Sequence, residues 1–137
     1  MVVIRPYEED DVFKVKIRLG DPLGAVVGNY PGPAWTMEED GEVLAVMGIT
    51  AIASGIGLVW SFISDEARGH GKTMLKFGRE KMKLALTEMR FHRLQAVVRA
   101  DREEYQRFIE LLGFEKEGLM RKGCANGDDL WLYSRIE

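Results

Sequence analysis

The strongest constraint on the fold lies between Leu58 and Arg90, where the hydrophobic period changes once. Leu58 to Ile63 is rich in aromatic and β-branched residues and reads as a strand. From Met74 the residues Met74, Leu75, Gly78, Met82, Ala85, Leu86 and Met89 recur at three- and four-residue steps. Lys76, Arg79, Glu80, Lys83, Thr87 and Arg90 take the opposite face, as in an amphipathic helix. The polar, glycine-bearing stretch Ser64 to Gly71 joins the two, and Leu94 to Val98 supplies a further short buried strand. This order makes a β-loop-α-β crossover. The methionine stripe reads as core packing rather than a cofactor site. Gly78 costs about 1 kcal/mol relative to alanine in a helix interior, so it is expected to admit close contact with the sheet.

The remaining segments are arranged around that crossover. Val2 to Arg5 is a short β-branched run, with Asp10 and Asp11 as candidate helix caps. Phe13 to Leu19 alternates with period two, a strand signal. Its acidic flank, cationic end and following Gly20 suit a short helix equally well. Gly28 to Pro33 reads as a loop. Ala34 to Met37 and Glu42 to Ala51 flank Glu38-Glu39-Asp40-Gly41, and Asp-Gly between apolar runs signals a hairpin. Ser54 to Gly57 makes a second turn, so three consecutive strands form an antiparallel meander. Asp101 is placed as the cap of a helix through Tyr105, Phe108, Ile109, Leu111 and Leu112, stopped by Gly113. Phe114 to Met120 and Leu130 to Ile136 are closing strands, joined by a turn carrying Asn126-Gly127. The fold class is α+β, and 137 residues suffice for one domain with one core.

Composition excludes several classes. At 46% hydrophobic the chain is not disordered. No apolar run approaches the ~20 residues of a membrane span, and the N-terminus lacks a basic-then-apolar leader. A soluble, cytoplasmic monomer or small oligomer such as a homodimer is expected. One cysteine, Cys124, excludes an internal disulfide, and with only His70 and His92 no metal site is expected. The net charge of −3 hides a split. Residues 1–60 carry 4 Lys+Arg against 9 Asp+Glu, whereas residues 68–107 carry 11 against 5. The basic centre is either a solvated helix face or a surface for a polyanion. Few aromatics stand among these cations, which counts against nucleic acid.

The strand Leu58–Ile63 feeds Asp65-Glu66-Ala67-Arg68-Gly69-His70-Gly71-Lys72-Thr73, which opens the long helix. Successive N–H groups at a helix start, bared by Gly69 and Gly71, can wrap a phosphate, and Arg68 and Lys72 add charge. A nucleotide-triphosphate loop would need glycine at position 66. Glu66 stands there and would repel phosphates.

The segment Ile63 to Thr73 instead resembles the coenzyme A pyrophosphate loop of the GNAT N-acetyltransferases, Arg/Gln-x-x-Gly-x-Gly/Ala. Arg68, Gly71 and Thr73 take its first, fourth and sixth positions, Thr73 departing from Gly/Ala. Ile4-Arg5-Pro6 with Asp10-Asp11 is similar to the family's opening strand and helix cap. Phe108-Ile109-Glu110-Leu111-Leu112-Gly113-Phe114 is similar to its Phe-Tyr-x-x-Leu-Gly-Phe helix end, and Leu119 to Arg135 to its closing hairpin. The resemblance covers nearly the whole chain and turns residues 11–19 toward helix.

What this implies is an acetyl-coenzyme A-dependent N-acetyltransferase that passes acetyl directly to a primary amine. Strands Leu58–Ile63 and Leu94–Val98 would run parallel and splay for the pantetheine arm. Backbone groups of Phe62, Ile63 and Ser64 would pair with that arm. Arg68, Gly69, His70, Gly71, Lys72 and Thr73 would hold the phosphates, and Phe108 would also contact the coenzyme. The family's proton-donating tyrosine is replaced by Ile109; Tyr105, one turn earlier, is the substitute acid. Ser61, Glu38 and Glu39 are candidates for removing the amine proton. His70 is expected to face solvent and His92 to end the long helix. Cys124 falls in a distant turn and is not a nucleophile. The aliphatic Ile109, Trp60 and the long basic helix also resemble acetyltransferase-like proteins of tailed bacteriophages. The alternative function is therefore a non-catalytic interaction or virion-associated protein.

Overall fold

The computed structural model describes residues 1–15 and 31–137. Its elements are β1 (Val2–Pro6), α1 (Asp11–Lys14), β2 (Ala34–Glu39), β3 (Glu42–Ala53), β4 (Ile56–Ile63), a 3-10 turn (Asp65–His70) and α2 (Gly71–Thr87). β5 (Arg93–Arg99), α3 (Glu103–Leu111), β6 (Glu115–Met120) and β7 (Leu130–Ile136) complete the chain. The strands follow the order β1-β2-β3-β4-β5-β7-β6. β4 with β5 is parallel, as a crossover requires, and the ladders β1–β2, β2–β3, β5–β7 and β6–β7 are antiparallel. The chain divides into two compact units, residues 1–50 with 59–71 and residues 51–58 with 72–137.

In the first unit, β1 lies along β2 with Val2 opposite Glu39 and Pro6 opposite Trp35. The Asp40-Gly41 turn has φ of 50° and 83°. That primed geometry matches the right-handed twist of the strands it joins, which is why Asp-Gly marks hairpins. α1 is too short to stand alone and rests on one carboxylate. Asp11 is fully buried, accepting from Arg5 Nη1 and Nη2 at 2.9 and 3.1 Å, from Thr36 Oγ1 at 2.7 Å and from the Glu8 N–H at 2.7 Å. Burial pushes its carboxyl up, but the bonds from Arg5, the Glu8 amide and Thr36 prevail and hold it at about 2. Val12 and Val15 meet Val43 and Val46, with Tyr7, Trp60 and Phe62 packed around them. Trp60 crosses Tyr7 edge-on at 6.4 Å and lies so close to Gly48 that a Cβ there would fall 2.4 Å from the indole.

In the second unit, Ile56, Gly57 and Leu58 of β4 pair with Arg93, Leu94 and Gln95 of β5. β5 pairs with β7 from Arg93↔Ile136 to Arg99↔Leu130, and β6 pairs with β7 around a bulge between Lys116 and Gly118. Met82, Ala85, Leu86, Leu94, Ala96, Ile109, Leu112 and Tyr133 are buried here. The Tyr133 hydroxyl donates to Glu110 Oε2 at 2.8 Å, and burial with that carboxylate pushes it up to about 12. On β6, Glu117 accepts two bonds from Arg93 at 2.8 Å and one from the Ser134 hydroxyl. The Arg93 guanidinium and the Ser134 hydroxyl hold its carboxyl at about 2.

Several expectations change in detail. The helix from residue 11 is described only to Lys14, and residues 16–19 and 28–30 of the expected helix and loop lie outside the described residues. Asp10 stands at the N-cap of α1, with φ 71°, but makes no side-chain cap bond, and Asp11 is taken by Arg5 and Thr36. Asp101 pairs with Arg99 at 3.1 Å, and Arg102 precedes α3 instead. Gly78 admits Leu112, just past α3, rather than the sheet: a Cβ would stand 2.9 Å from Leu112 Cδ2. α2 stops at Thr87, so His92 lies beyond it, its N–H bonded to the Gly55 carbonyl at 2.9 Å.

Candidate functional site

The chain between β4 and α2 is anchored at one end and bare at the other. Ser64 is buried, and both its N–H and its hydroxyl donate to the Leu44 carbonyl, at 2.9 and 2.8 Å. Its own carbonyl accepts from the Ala67 N–H at 3.2 Å. Ala67 has no exposed surface, so it pegs the 3-10 turn to the first unit. Beyond that peg the character changes. Arg68 is exposed, with Nη2 3.8 Å from Asp65 Oδ1, and Lys72 and Thr73 are exposed.

A Cβ added at Gly69 or Gly71 would meet nothing within 4 Å. Gly71 is helical, with φ −56° and ψ −39°, so neither a strained backbone nor a close neighbour demands glycine there. What these glycines leave is open space beside the chain where the 3-10 turn runs into a 17-residue helix. The first N–H groups of a helix lack intrahelical acceptors and carry the positive end of its dipole. A bare, cationic helix start of this kind suits a phosphate.

His70 faces solvent only in part. Its side chain is 24% exposed, and Nε2 lies 3.6 Å from Glu39 Oε1 on β2. Glu38, the neighbouring carboxylate, lies 3.2 Å from Arg5 Nε. Ser61 is exposed on β4, and Phe62 and Ile63 are half-buried after it, Phe62 packing on the valine cluster. Glu38 and Ser61 fall in the first unit, Tyr105 and Phe108 in the second. Tyr105 and Phe108 are half-buried on α3, whereas Ile109 is buried. Cys124 is buried in the β6–β7 turn, its N–H donating to the Asp128 carbonyl. The contact between Glu39 and His70 spans 31 positions, and no sequence signal couples them. Among the described residues no three His, Cys, Asp or Glu side chains gather as metal ligands, and no helix is long and apolar enough to cross a membrane.

No family profile matches the chain, and no curated protein matches it in sequence. Solved structures do. The ribosomal-protein-S18-alanine N-acetyltransferase from Escherichia coli superposes with a TM-score of 0.74 at 15% identity, over 99% of this chain and 94% of its own. A spermidine N-acetyltransferase chimera based on Vibrio cholerae gives 0.74 at 13% identity, over 98% and 95%. The ribosomal L7/L12 alpha-N-protein acetyltransferase in complex with coenzyme A gives 0.65 at 20% identity, over 76% and 61%. Against that enzyme and the ribosomal-protein-S5-alanine acetyltransferase from Vibrio fischeri, this chain spans about three fifths of their length. The fold is therefore the GNAT N-acetyltransferase fold, as the order of motifs implied.

Proposed function

We propose, on a fold shared with GNAT N-acetyltransferases, that this protein transfers acetyl from acetyl-coenzyme A to a primary amine. The observation that carries the reading is the open space beside Gly69 and Gly71 where the 3-10 turn meets α2, flanked by exposed Arg68 and Lys72. In this reading the start of α2 at Lys72 and Thr73, with room left by Gly69, His70 and Gly71 before it, takes the pyrophosphate, with the two cations beside it. Ser64 has its amide, carbonyl and hydroxyl engaged within the protein. Pairing with the pantetheine arm thus rests on Phe62 and Ile63, and Phe108 is assigned a packing contact with the coenzyme. The structural relatives named for acting on spermidine or on a ribosomal-protein alanine support an amine as acceptor.

The chemistry needs a neutral amine, because a free alkylamine is protonated near neutral pH. Its nitrogen attacks the thioester carbonyl carbon, a C–N bond forms, the C–S bond breaks, and the departing thiolate takes a proton. Tyr105 is proposed as that proton donor, since Ile109 has none. Ser61 and Glu38 are proposed to receive the amine proton through water, Glu38 sharing its carboxylate with Arg5. Cys124 is buried in the β6–β7 turn and the Ser64 hydroxyl is spent on the Leu44 carbonyl, so neither is placed as a nucleophile, which favours direct transfer over an acyl-enzyme. A cytoplasmic setting is part of the same proposal.

Titration calorimetry with acetyl-coenzyme A, followed by turnover across a panel of amines, tests the reading. Micromolar binding and turnover are expected; no binding at millimolar ligand overturns it. Tyr105→Phe should lower kcat at least tenfold at neutral pH, and an unchanged kcat across pH removes Tyr105 as the acid. The buried Ile109 favours a second reading, a coenzyme-binding protein on this fold without transfer activity. Binding without turnover across the panel would select it.

A further inference from the structure

We infer that Glu39 is a positioning residue for the coenzyme loop, acting through His70 as a pH-dependent strap. The inference rests on the coenzyme reading of the Arg68–Thr73 loop and assigns how that loop is held. Ser64 and Ala67 anchor the first half of the 3-10 turn through hydrogen bonds and burial. The second half has open space over Gly69 and is followed by open space over Gly71. Between those glycines, His70 turns inward and meets the Glu39 carboxylate at 3.6 Å. Two glycines give the segment wide backbone freedom, so a side-chain tie between them limits how far it strays from the geometry a phosphate requires.

An imidazole is charged or neutral within the physiological range, so the tie is strongest when His70 is protonated. The other charged groups on these two elements are Asp65, Glu66 and Arg68 on the turn itself, Lys72 next in sequence, and Glu38, Asp40 and Glu42 around the hairpin. Glu38 pairs with Arg5, Asp40 with the N-terminal amine and Asp65 with Arg68, and Glu39 is the carboxylate in contact with His70. A purely electrostatic account has the opposite sign. A carboxylate close to a phosphate site repels the ligand, so removing it would tighten binding. The strap makes removal costly instead.

The test is a double-mutant cycle of Glu39→Gln, His70→Gln and both together, with acetyl-coenzyme A binding measured at pH 6 and pH 8.5. Partly exposed ion pairs of this kind change an equilibrium by roughly two- to fivefold. Glu39→Gln is expected to weaken binding about threefold at pH 6 and hardly at all at pH 8.5, with the pairwise coupling confined to the lower pH. Unchanged or tighter binding of Glu39→Gln at pH 6 overturns the strap. Amide hydrogen exchange of residues 65–71 without ligand gives a readout independent of the coenzyme. Faster exchange in Glu39→Gln at pH 6 is expected, and equal exchange overturns the strap. If the wild-type chain binds no acetyl-coenzyme A, the functional reading fails while exchange still decides the strap.

Discussion

Asp11 illustrates how one residue can escape a local reading. By sequence it stands where a helix cap would, but its carboxylate closes a contact among β1, α1 and β2, because Arg5 and Thr36 converge on it. A carboxyl that titrates near 3.8 in a free chain and at about 2 in the fold binds its proton more readily when unfolded. Its contribution is therefore full above about pH 5 and is lost as pH falls through 4 toward 2, by about 2 to 3 kcal/mol. Urea unfolding of Asp11→Asn should show a loss of about 2 to 3 kcal/mol at pH 7, since Arg5 loses both bonds to its buried carboxylate and keeps the half-buried Glu38. The difference between the two proteins should narrow near pH 2. The same non-local logic hid the Glu39–His70 contact, whereas Asp101 is taken from a cap by a local competitor, Arg99, two residues before it.

At the scale of elements, what was legible in the sequence was whatever depends on near neighbours. The Asp40-Gly41 hairpin, the period of α2, the β5 run and the Gly113 stop all follow from local pattern, and each is present. Boundaries shifted where a glycine tolerates helix: α2 begins at Gly71, the last residue of the stretch read as a connection. The bareness of the phosphate-type loop was readable from its glycines, but its anchoring by Ser64 on Leu44 was not, because that contact spans 20 residues. Tight packing between strands gives a test of element spacing. Gly48→Ala would press a methyl group into the Trp60 ring and should lower stability by about 1 to 3 kcal/mol in thermal or urea unfolding, with loss of near-UV indole ellipticity. An unchanged protein would mean that β3 and the indole can move apart freely.

Across the whole molecule the charge is divided, with an acidic excess over residues 1–60 and a basic excess over residues 68–107. If the basic segment serves phosphates, affinity for acetyl-coenzyme A should fall several-fold between 50 mM and 500 mM salt as screening shortens. Arg68→Ala with Lys72→Ala should flatten that salt dependence as well as weaken binding; an unaltered slope would place the phosphate contact elsewhere. The Arg5–Asp11 contact has a further consequence for a shortened chain. Loss of residues 1–5 removes the guanidinium as well as four of the five residues of an edge strand. The shortened chain would keep a carboxylate in its interior with its main counter-charge gone, and a carboxylate so placed drives local opening. A chain lacking residues 1–5 should therefore open its first helix to proteolysis faster than the intact chain, which limited digestion would show.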